Sequence, residues 1–267
     1  MKPEQDYIAI NKESWNNRTD SHLSSEFYDV DEFLKGNNSL KSIELDLLGD
    51  VSEKKILHLQ CHFGQDSLSL ARMGAQVTAV DLSDKAISAG KELAKKMNLD
   101  VNFICCDFYD LPNHLAEEFD IVFTSYGTIG WLPDIDKWAH LIAGYLKPGG
   151  HFVFAEFHPV VWMFDDDFKC IKYGYSQVEP ILETEEGSYA DRTADIQQNY
   201  VTWNHGLAKV VTALLANNIS IQKFQEFDYS PYNCLDHMEE VEPGKYRIKH
   251  LGNKIPMVYA LLGKMVA

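Results

Sequence analysis

The chain has 267 residues, 45% of them hydrophobic, and carries a formal net charge of −16. A negative charge of that size repels nucleic acid and anionic membrane surfaces, so neither is expected as a partner. The length and mixed composition instead predict one globular domain over residues 1–267 with a full hydrophobic core.

Residues 1–50 precede the first strand pattern and are predicted to form an N-terminal helical cap. Tyr7 to Asn17 has helical character, and apolar residues between positions 40 and 48 recur at helical spacing. The segment from Ser21 to Phe27 between them is less regular.

Residues 55–87 hold the most informative pattern. Lys55–Leu59 is an apolar run typical of a buried parallel strand, and Asp66 is placed to cap the helix that follows a short loop. A second strand over residues 76–80 ends on Asp81. This predicts a strand–helix–strand unit with a carboxylate at the second strand tip, which is the arrangement of a nucleotide-type pocket.

Strand and helix patterns then alternate as far as residue 157. Ser83 and Asp134 are placed to cap helices, and residues 160–199 lack the core pattern, which predicts an insertion followed by a helix from Asn204. The predicted later strands are 101–104, 119–125, 152–157, 219–227 and 257–264. The order predicts a doubly wound, Rossmann-like α/β fold: a seven-stranded, mostly parallel sheet with helices on both faces and an antiparallel last strand.

Five short motifs occur in a specific order. They are Leu57 to Gly64, Asp81, Cys106-Asp107-Phe108, Phe119 to Val122 and Leu146 to Gly150. In this order they resemble the class I S-adenosylmethionine-dependent methyltransferases, notably the methyltransferase type 11 and 12 groups. The resemblance is good over residues 54–159. Its most specific part is the Lys-Pro-Gly-Gly turn at 147–150, a combination that nicotinamide dehydrogenases lack.

The loop after the first strand departs from that family. The family's Asp-x-Gly-x-Gly-x-Gly reads here as His58, Gln60, His62 and Gly64, so only the last glycine is kept. We interpret the Leu-Gln-Cys-His-Phe-Gly sequence as a variant that still binds the cofactor, with the side chains at 60 and 62 turned away from the ligand or contacting it through their amides. The alternative is a degraded loop without cofactor affinity.

The resemblance implies S-adenosyl-L-methionine as the cofactor. It assigns the ribose hydroxyls to Asp81 and the adenine to Asp107, with Phe108 packing on the ring. The predicted cofactor contacts are Gln60, Cys61, Gly64, Asp81, Leu82, Cys106, Asp107, Phe108, Ser125 and Trp131.

Catalytic residues are less constrained, because methyl transfer depends mainly on alignment and needs a general base only when the acceptor loses a proton. Tyr126 and His158 are the candidate catalytic residues near the predicted strand tips, with His158 expected to orient the acceptor or accept its proton. The candidate acceptor contacts are Trp15, His22, Tyr28 and Trp162. Such an aromatic pocket suits a small neutral or cationic organic molecule. For each of these residues a structural role is the alternative.

No metal site is predicted, because the five cysteines lack paired CxxC spacing and the histidines are scattered. With no signal peptide and no apolar run of membrane-spanning length, a reduced cytoplasmic protein is expected. Two other functions stay open. One is a nicotinamide-dependent oxidoreductase on a related fold, and the other is a non-catalytic S-adenosylmethionine-binding protein, suggested by the altered loop. The sequence leaves the acceptor and the oligomeric state open.

Overall fold

The computed structural model describes residues 6–266, so the first five residues of the predicted cap and Ala267 lie outside the described residues. Three helices precede the sheet: α1 (Tyr7–Ser24), α2 (Val30–Lys35) and α3 (Ser42–Leu48). α1 extends into the segment from Ser21 to Phe27 that looked irregular in sequence, and ends within it at Ser24. α2 has only six residues and begins where the Asp29 side chain accepts the Glu32 N–H, at 3.3 Å.

Strands and helices alternate from residue 55 to residue 157, except that a 3-10 turn joins the third strand to the fourth. The strands of the main sheet are β1 (Lys55–Leu59), β2 (Gln76–Asp81), β3 (Val101–Cys105), β4 (Phe119–Ser125) and β5 (Leu146–Phe157). The intervening helices are α4 (Gln65–Arg72), α5 (Asp84–Met97) and α6 (Ile135–Tyr145). The remaining elements are β6 (Gln177–Glu186), β7 (Gln197–Asn204), α7 (Leu207–Ala216), β8 (Ile219–Phe227), β9 (Met238–Glu242), β10 (Lys245–Ile248) and β11 (Val258–Met265).

The main sheet has seven strands in the order β3-β2-β1-β4-β5-β11-β8. β1 to β5 pair in parallel, whereas β11 is antiparallel to both of its neighbours, β5 and β8. This confirms the predicted fold. Since β1 lies between β2 and β4, the chain reverses its direction of travel across the sheet beside β1, and ligands in such sheets bind next to that point.

Two hydrophobic clusters cover the two faces of the sheet. One contains apolar residues of α3, α4 and α5, and the other those of α6 and α7. Trp138 of α6 is 1% exposed and packs against Phe152 and Phe154 of β5, so it is a core residue, as its helical spacing indicates.

Helix caps follow the sequence in two cases and depart from it in two. The Ser83 hydroxyl accepts the Ala86 N–H at 3.0 Å, and Asp134 accepts the Lys137 N–H at 2.9 Å. Asp66, however, lies inside the first turn of α4, whose N-cap is Gly64. The helix predicted from Asn204 begins at Leu207, because Asn204 ends β7 and its amide donates to the carbonyls of Pro159 and Gly174.

The predicted insertion, residues 160–199, contains β6 and only the start of β7, and these two strands form a second, antiparallel sheet. β9 and β10 form a further hairpin that the sequence pattern did not reveal. β7 packs on α1 through Asn11, whose side chain donates to the Val201 carbonyl at 2.9 Å and accepts the Val201 N–H at 2.8 Å. We call α1 together with the β6–β7 sheet the cover. No helix within residues 6–266 combines the length and apolar character needed to cross a bilayer.

Candidate active site

A cavity of about 960 Å³ lies at the carboxyl ends of β1, β2 and β4, beneath the cover. Fourteen of the sixteen residues singled out in the sequence line it, and the other two, His22 and His158, do not. A volume of this size is at the upper end of the range for small-molecule sites, which is enough for two ligands side by side.

The loop after β1 keeps a left-handed backbone at the positions where a glycine-rich loop has glycine. Gln60 and His62 both have a φ of +53°, and Gly64 has a φ of +76°. The Gln60 side chain turns away and donates to the Thr128 carbonyl at 2.8 Å. A left-handed conformation costs a non-glycine residue about 1–2 kcal/mol, so surrounding contacts hold this shape in place. At Gly64 a Cβ would lie 2.6 Å from the Phe103 ring, which leaves no room for a side chain there.

Asp81 at the tip of β2 connects this loop to the next helix. Its Oδ2 accepts the His62 N–H at 2.7 Å, and its Oδ1 accepts the Ser83 N–H at 2.8 Å. Burial raises the pKa of Asp81 to about 6, so the carboxylate is still mainly ionised at neutral pH. Each carboxylate oxygen can accept a second hydrogen bond, which leaves capacity for a ligand in the cavity.

Asp107 begins a 3-10 turn over Phe108–Asn113 at the end of the neighbouring strand β3. Its Oδ1 accepts the Tyr109 N–H at 2.8 Å, and burial raises the pKa of its carboxyl. Phe108 is 5% exposed and contributes to both the core and the cavity wall. Asp107 therefore has a structural role in the turn and also lines the cavity.

A buried arginine faces the cavity from the cover. Arg18 of α1 is 3% exposed and pairs with Glu185 at 2.6 Å. Its guanidinium lies 5.1–5.6 Å from the ring centroids of Trp15, Trp131 and Tyr200. The Nε atom has no hydrogen-bond partner within residues 6–266. Sequence reasoning missed this residue, because an arginine in a polar helix is usually solvated.

Two histidines fill the space between the cover and the β1 loop. His22 is fully buried behind the lining, with its Nδ1 2.9 Å from His62 Nε2 and its Nε2 3.0 Å from Ser188 Oγ. Burial lowers the pKa of His22 to about 3, and the pKa of His62 is lowered well below its usual value for the same reason. His22 is therefore neutral and supports His62 and Tyr28, whose ring stacks on it at 5.3 Å, whereas the sequence placed it against the acceptor.

Tyr126 follows β4 directly and has a φ of +44°, a strained value for a bulky side chain. Its hydroxyl donates to Glu44 Oε2 at 2.8 Å. Glu44 comes from α3, is 0% exposed, and was not identified from the sequence. Burial, together with the nearby Asp66 carboxylate, raises the pKa of Glu44 to about 7.

Glu156, close to the end of β5, shapes the turn after β4. Its buried carboxylate accepts the Thr128 N–H at 2.7 Å and the Ile129 N–H at 3.1 Å. These bonds fix the backbone that leads from Tyr126 to Trp131, the segment that closes one side of the cavity.

His158 lies away from the cavity lining, contrary to the sequence expectation for a catalytic residue. Its Nε2 is 2.9 Å from Glu226 Oε1 on β8, and its Nδ1 accepts the Val160 N–H at 3.2 Å. The His158 N–H pairs with the Met257 carbonyl, which directs the residue toward β11 and β8. Burial lowers the pKa of His158, although Glu226 acts in the opposite direction. The position indicates a packing role.

The described part of the chain, residues 6–266, contains no group of three or more His, Cys, Asp or Glu side chains that could hold a metal ion.

Comparison with known proteins matches residues 56–150 to a family model described as a methyltransferase domain. The ubiquinone biosynthesis O-methyltransferase of Coxiella burnetii is 34% identical over 102 residues, which are 38% of this chain and 43% of that protein. That of Chromobacterium violaceum is 26% identical over 51% of this chain and 59% of the relative. The matched stretch therefore spans about half the length of these relatives.

Solved structures show the same fold over most of the chain. A geranyl diphosphate C-methyltransferase from Streptomyces coelicolor A3(2) superposes with a TM-score of 0.60 at 14% identity, covering all of both chains. A putative S-adenosylmethionine dependent methyltransferase from Listeria monocytogenes gives 0.56 at 18% identity, over 84% of this chain and 96% of that one. Residues 56–150 therefore match a methyltransferase-domain model, and the seven-stranded sheet that contains them has the fold of the solved methyltransferases.

Proposed function

We propose that the protein is an S-adenosylmethionine-dependent methyltransferase that acts on a small organic molecule. The observation that carries this proposal is the meeting of three features in one cavity: the Asp81 carboxylate at the tip of β2, Asp107 after β3, and the left-handed loop after β1. They lie at the carboxyl edge of the sheet beside the point where strand order reverses, which is where this fold binds its ligands.

The residues present suit the chemistry of the cofactor. Asp81 retains acceptor capacity for the two ribose hydroxyls, and Asp107 with Phe108 offers a carboxylate and a ring face for the adenine. The buried Arg18 supplies a cation with an unpartnered Nε for the amino-acid carboxylate, since charge-assisted hydrogen bonds to buried groups are strong. When bound, the cofactor supplies a methyl group already activated by its sulfonium.

The chain's own contribution is mainly alignment and exclusion of water. The cover places Trp15 and Arg18 over the β1 loop, and Trp15 packs against Trp131 at 5.1 Å between ring centroids. Holding two reactants in line can contribute on the order of 7–11 kcal/mol to the barrier reduction. A cavity enclosed in this way suits methyl transfer, which needs little else from the protein.

A small organic acceptor fits the rest of the cavity. Phe27, Tyr28, Tyr126, Tyr232 and Trp162 line it, and aromatic walls with a few polar groups are typical of small-molecule sites. The relatives named above as ubiquinone and geranyl diphosphate methyltransferases carry small organic molecules in their names, which supports the same substrate class.

Calorimetry with S-adenosylhomocysteine and with NAD tests the cofactor assignment. We expect binding of the former only. Asp81→Asn should weaken that binding. Asp120→Asn is the matched control and should not, since Asp120 also accepts a backbone N–H, that of Lys55 at 2.8 Å, but lies outside the lining. Affinity for NAD without affinity for S-adenosylhomocysteine would favour the oxidoreductase alternative.

A screen of small-molecule acceptors with methyl-labelled S-adenosylmethionine tests the reaction itself. We expect label to move to at least one amine, phenol or related acceptor. Tight binding of S-adenosylhomocysteine without transfer to any compound of a broad panel would favour the non-catalytic alternative.

A further inference from the structure

The contact between Tyr126 and Glu44 has the features of a functional pair. Tyr126 lines the cavity directly after β4, and its left-handed backbone, at φ +44°, is sustained by a hydrogen bond from its N–H to the Ala155 carbonyl at 2.7 Å. Strained residues of this kind concentrate at functional sites. The phenol of this residue donates to Glu44 Oε2 at 2.8 Å.

Glu44 is connected to the cavity through Tyr126. Its other oxygen, Oε1, accepts the Lys41 N–H at 2.8 Å at the start of α3, and the residue is 0% exposed. Asp66 on α4 is the nearby carboxylate that contributes to the raised pKa of Glu44, and Tyr126 and Tyr232 are the phenols that face the same region. Lys41 lies 5.0 Å from the Tyr232 ring centroid. A carboxylate in such a position gains from accepting a proton, because burial and a like charge both disfavour its ionised form.

We propose that Tyr126 and Glu44 form the proton-accepting pair for a methyl acceptor that carries an O–H or N–H group; the inference rests on the proposed function. In the transfer, a lone pair of the acceptor oxygen or nitrogen forms the bond to the methyl carbon, and the carbon–sulfur bond breaks with its electron pair going to sulfur. The acceptor proton passes to the Tyr126 oxygen, and the phenol proton passes to Glu44 Oε2. Charge and atoms balance, and no further reactant is needed.

A purely structural role for Glu44, as the cap of α3, gives different expectations. Glu44→Gln keeps the volume, can still accept from the Lys41 N–H, and can donate to the Tyr126 oxygen, yet it cannot take up a proton. Tyr126→Phe removes the relay while leaving the ring. Tyr259→Phe is the matched control, because Tyr259 is buried outside the lining and its hydroxyl has no hydrogen-bond partner in the described chain, residues 6–266.

Infrared titration of the enzyme saturated with S-adenosylhomocysteine tests the pair without an acceptor. The difference between wild type and Glu44→Gln should show one carboxyl band that titrates near neutral pH. Tyr126→Phe should move its midpoint upward, since the hydrogen bond from Tyr126 stabilises the ionised form, and Tyr259→Phe should leave it unchanged. A Glu44 band that titrates in the ordinary range of glutamate, or that ignores Tyr126→Phe, overturns the proposal.

Turnover gives the second readout. With a protic acceptor from the screen, Glu44→Gln and Tyr126→Phe should lower kcat by about 10²–10⁴-fold while the affinity for S-adenosylhomocysteine stays within twofold of wild type. With a thioether or tertiary amine, which has no proton to lose, the loss of kcat in both variants should be at least tenfold smaller. Full activity of Glu44→Gln on a protic acceptor overturns the pair. If the wild-type protein has no affinity for S-adenosylhomocysteine, the proposed function itself is overturned. If the protein binds it but no acceptor is found, the infrared titration decides whether Tyr126 and Glu44 form the pair.

Discussion

Asp81 accepts the backbone N–H of His62 at 2.7 Å, so the carboxylate at the tip of β2 directly fixes the loop that follows β1. The loop and the carboxylate are usually described as two separate contacts of a nucleotide pocket. Here they form one unit, in which the position of the acidic side chain and the left-handed shape of the loop depend on each other.

Removing the Asp81 carboxylate should therefore weaken cofactor binding. Losing a charge-assisted hydrogen bond costs roughly 1.5–3 kcal/mol, so Asp81→Ala is expected to lower the affinity for S-adenosylhomocysteine at least tenfold. Because the pKa of Asp81 is raised to about 6 and the ionised form binds, the wild-type affinity should also fall as the pH drops through that value, by about tenfold at pH 5. Calorimetry between pH 7.5 and 5 measures both effects. Equal affinities in Asp81→Ala and wild type, with the fold intact, would exclude the ribose assignment.

Gln60 offers a direct measurement of the loop strain. Gln60→Ala removes the hydrogen bond to the Thr128 carbonyl and keeps the strained backbone, whereas Gln60→Gly removes both. We expect the alanine variant to lose about 0.5–1.5 kcal/mol of unfolding free energy and the glycine variant to be about 1 kcal/mol more stable than the alanine one. Denaturant unfolding of the two variants gives the comparison. An alanine variant at least as stable as the glycine variant would show that position 60 is unstrained.

If Arg18 binds the amino-acid carboxylate of the cofactor, its replacement should weaken only ligands that carry this group. Arg18→Gln is expected to weaken S-adenosylhomocysteine binding at least tenfold and to leave the affinity for 5′-methylthioadenosine, which lacks that group, nearly unchanged. Arg192→Gln is a suitable control, since Arg192 also lines the cavity but forms an exposed pair with Asp236 at 2.8 Å. Parallel losses for both ligands in Arg18→Gln would mean that Arg18 only holds the cover in place.

His58 should make the fold sensitive to acid. Its ring is 3% exposed, its Nδ1 is 2.7 Å from Ser67 Oγ, and burial lowers its pKa to about 3. Between this value and the ordinary pKa of about 6.5, the histidine is protonated in the unfolded state and neutral in the folded state. The free energy of unfolding is therefore unaffected above pH 6.5 and decreases as the pH falls below it. Between pH 8 and pH 5 the wild type should lose about 2 kcal/mol more than His58→Asn. If the unfolding free energies of the two proteins changed with pH in the same way, His58 would not be the group responsible for the acid sensitivity.

His158→Ala should act on stability and not on chemistry. The side chain is buried between β5 and β8 and partners Glu226, so its removal is expected to lower the unfolding free energy by roughly 2–4 kcal/mol. The kcat of the folded fraction should stay unchanged. A large loss of kcat at full occupancy by the cofactor would restore the catalytic role that the sequence suggested.

The centre of the sheet was predictable because its parallel strands are buried on both faces. The patterns at Lys55–Leu59 and Phe119–Ser125 give the observed strand bounds, since a buried parallel strand shows a nearly continuous apolar run. The β9–β10 hairpin lacks such a run: four of the five residues of β9 are exposed, and nothing in their sequence separates them from a polar loop.

The cavity residues at the ends of the strands were predictable, whereas those supplied by the helices before the sheet were not. Asp81 and Asp107 follow directly from the predicted strands, because they lie at the ends of β2 and β3. Glu44 and Arg18 instead meet partners 82 and 167 residues away, and a single charged residue on a short or polar helix gives no sign of such a contact. The left-handed backbone at Gln60 and His62 was equally hidden, because these residues differ from the glycine that usually marks it.

The two hydrogen bonds between Asn11 and Val201 have a consequence for how the protein becomes functional. They close a loop of 190 residues, and contacts of such long range tend to form late because the entropy of closing the loop is lost before the contact can compensate for it. During synthesis the sheet core through β5 can assemble before β7 has left the ribosome, while α1 still lacks the strand on which it rests. The candidate site is therefore complete only after most of the chain has been made.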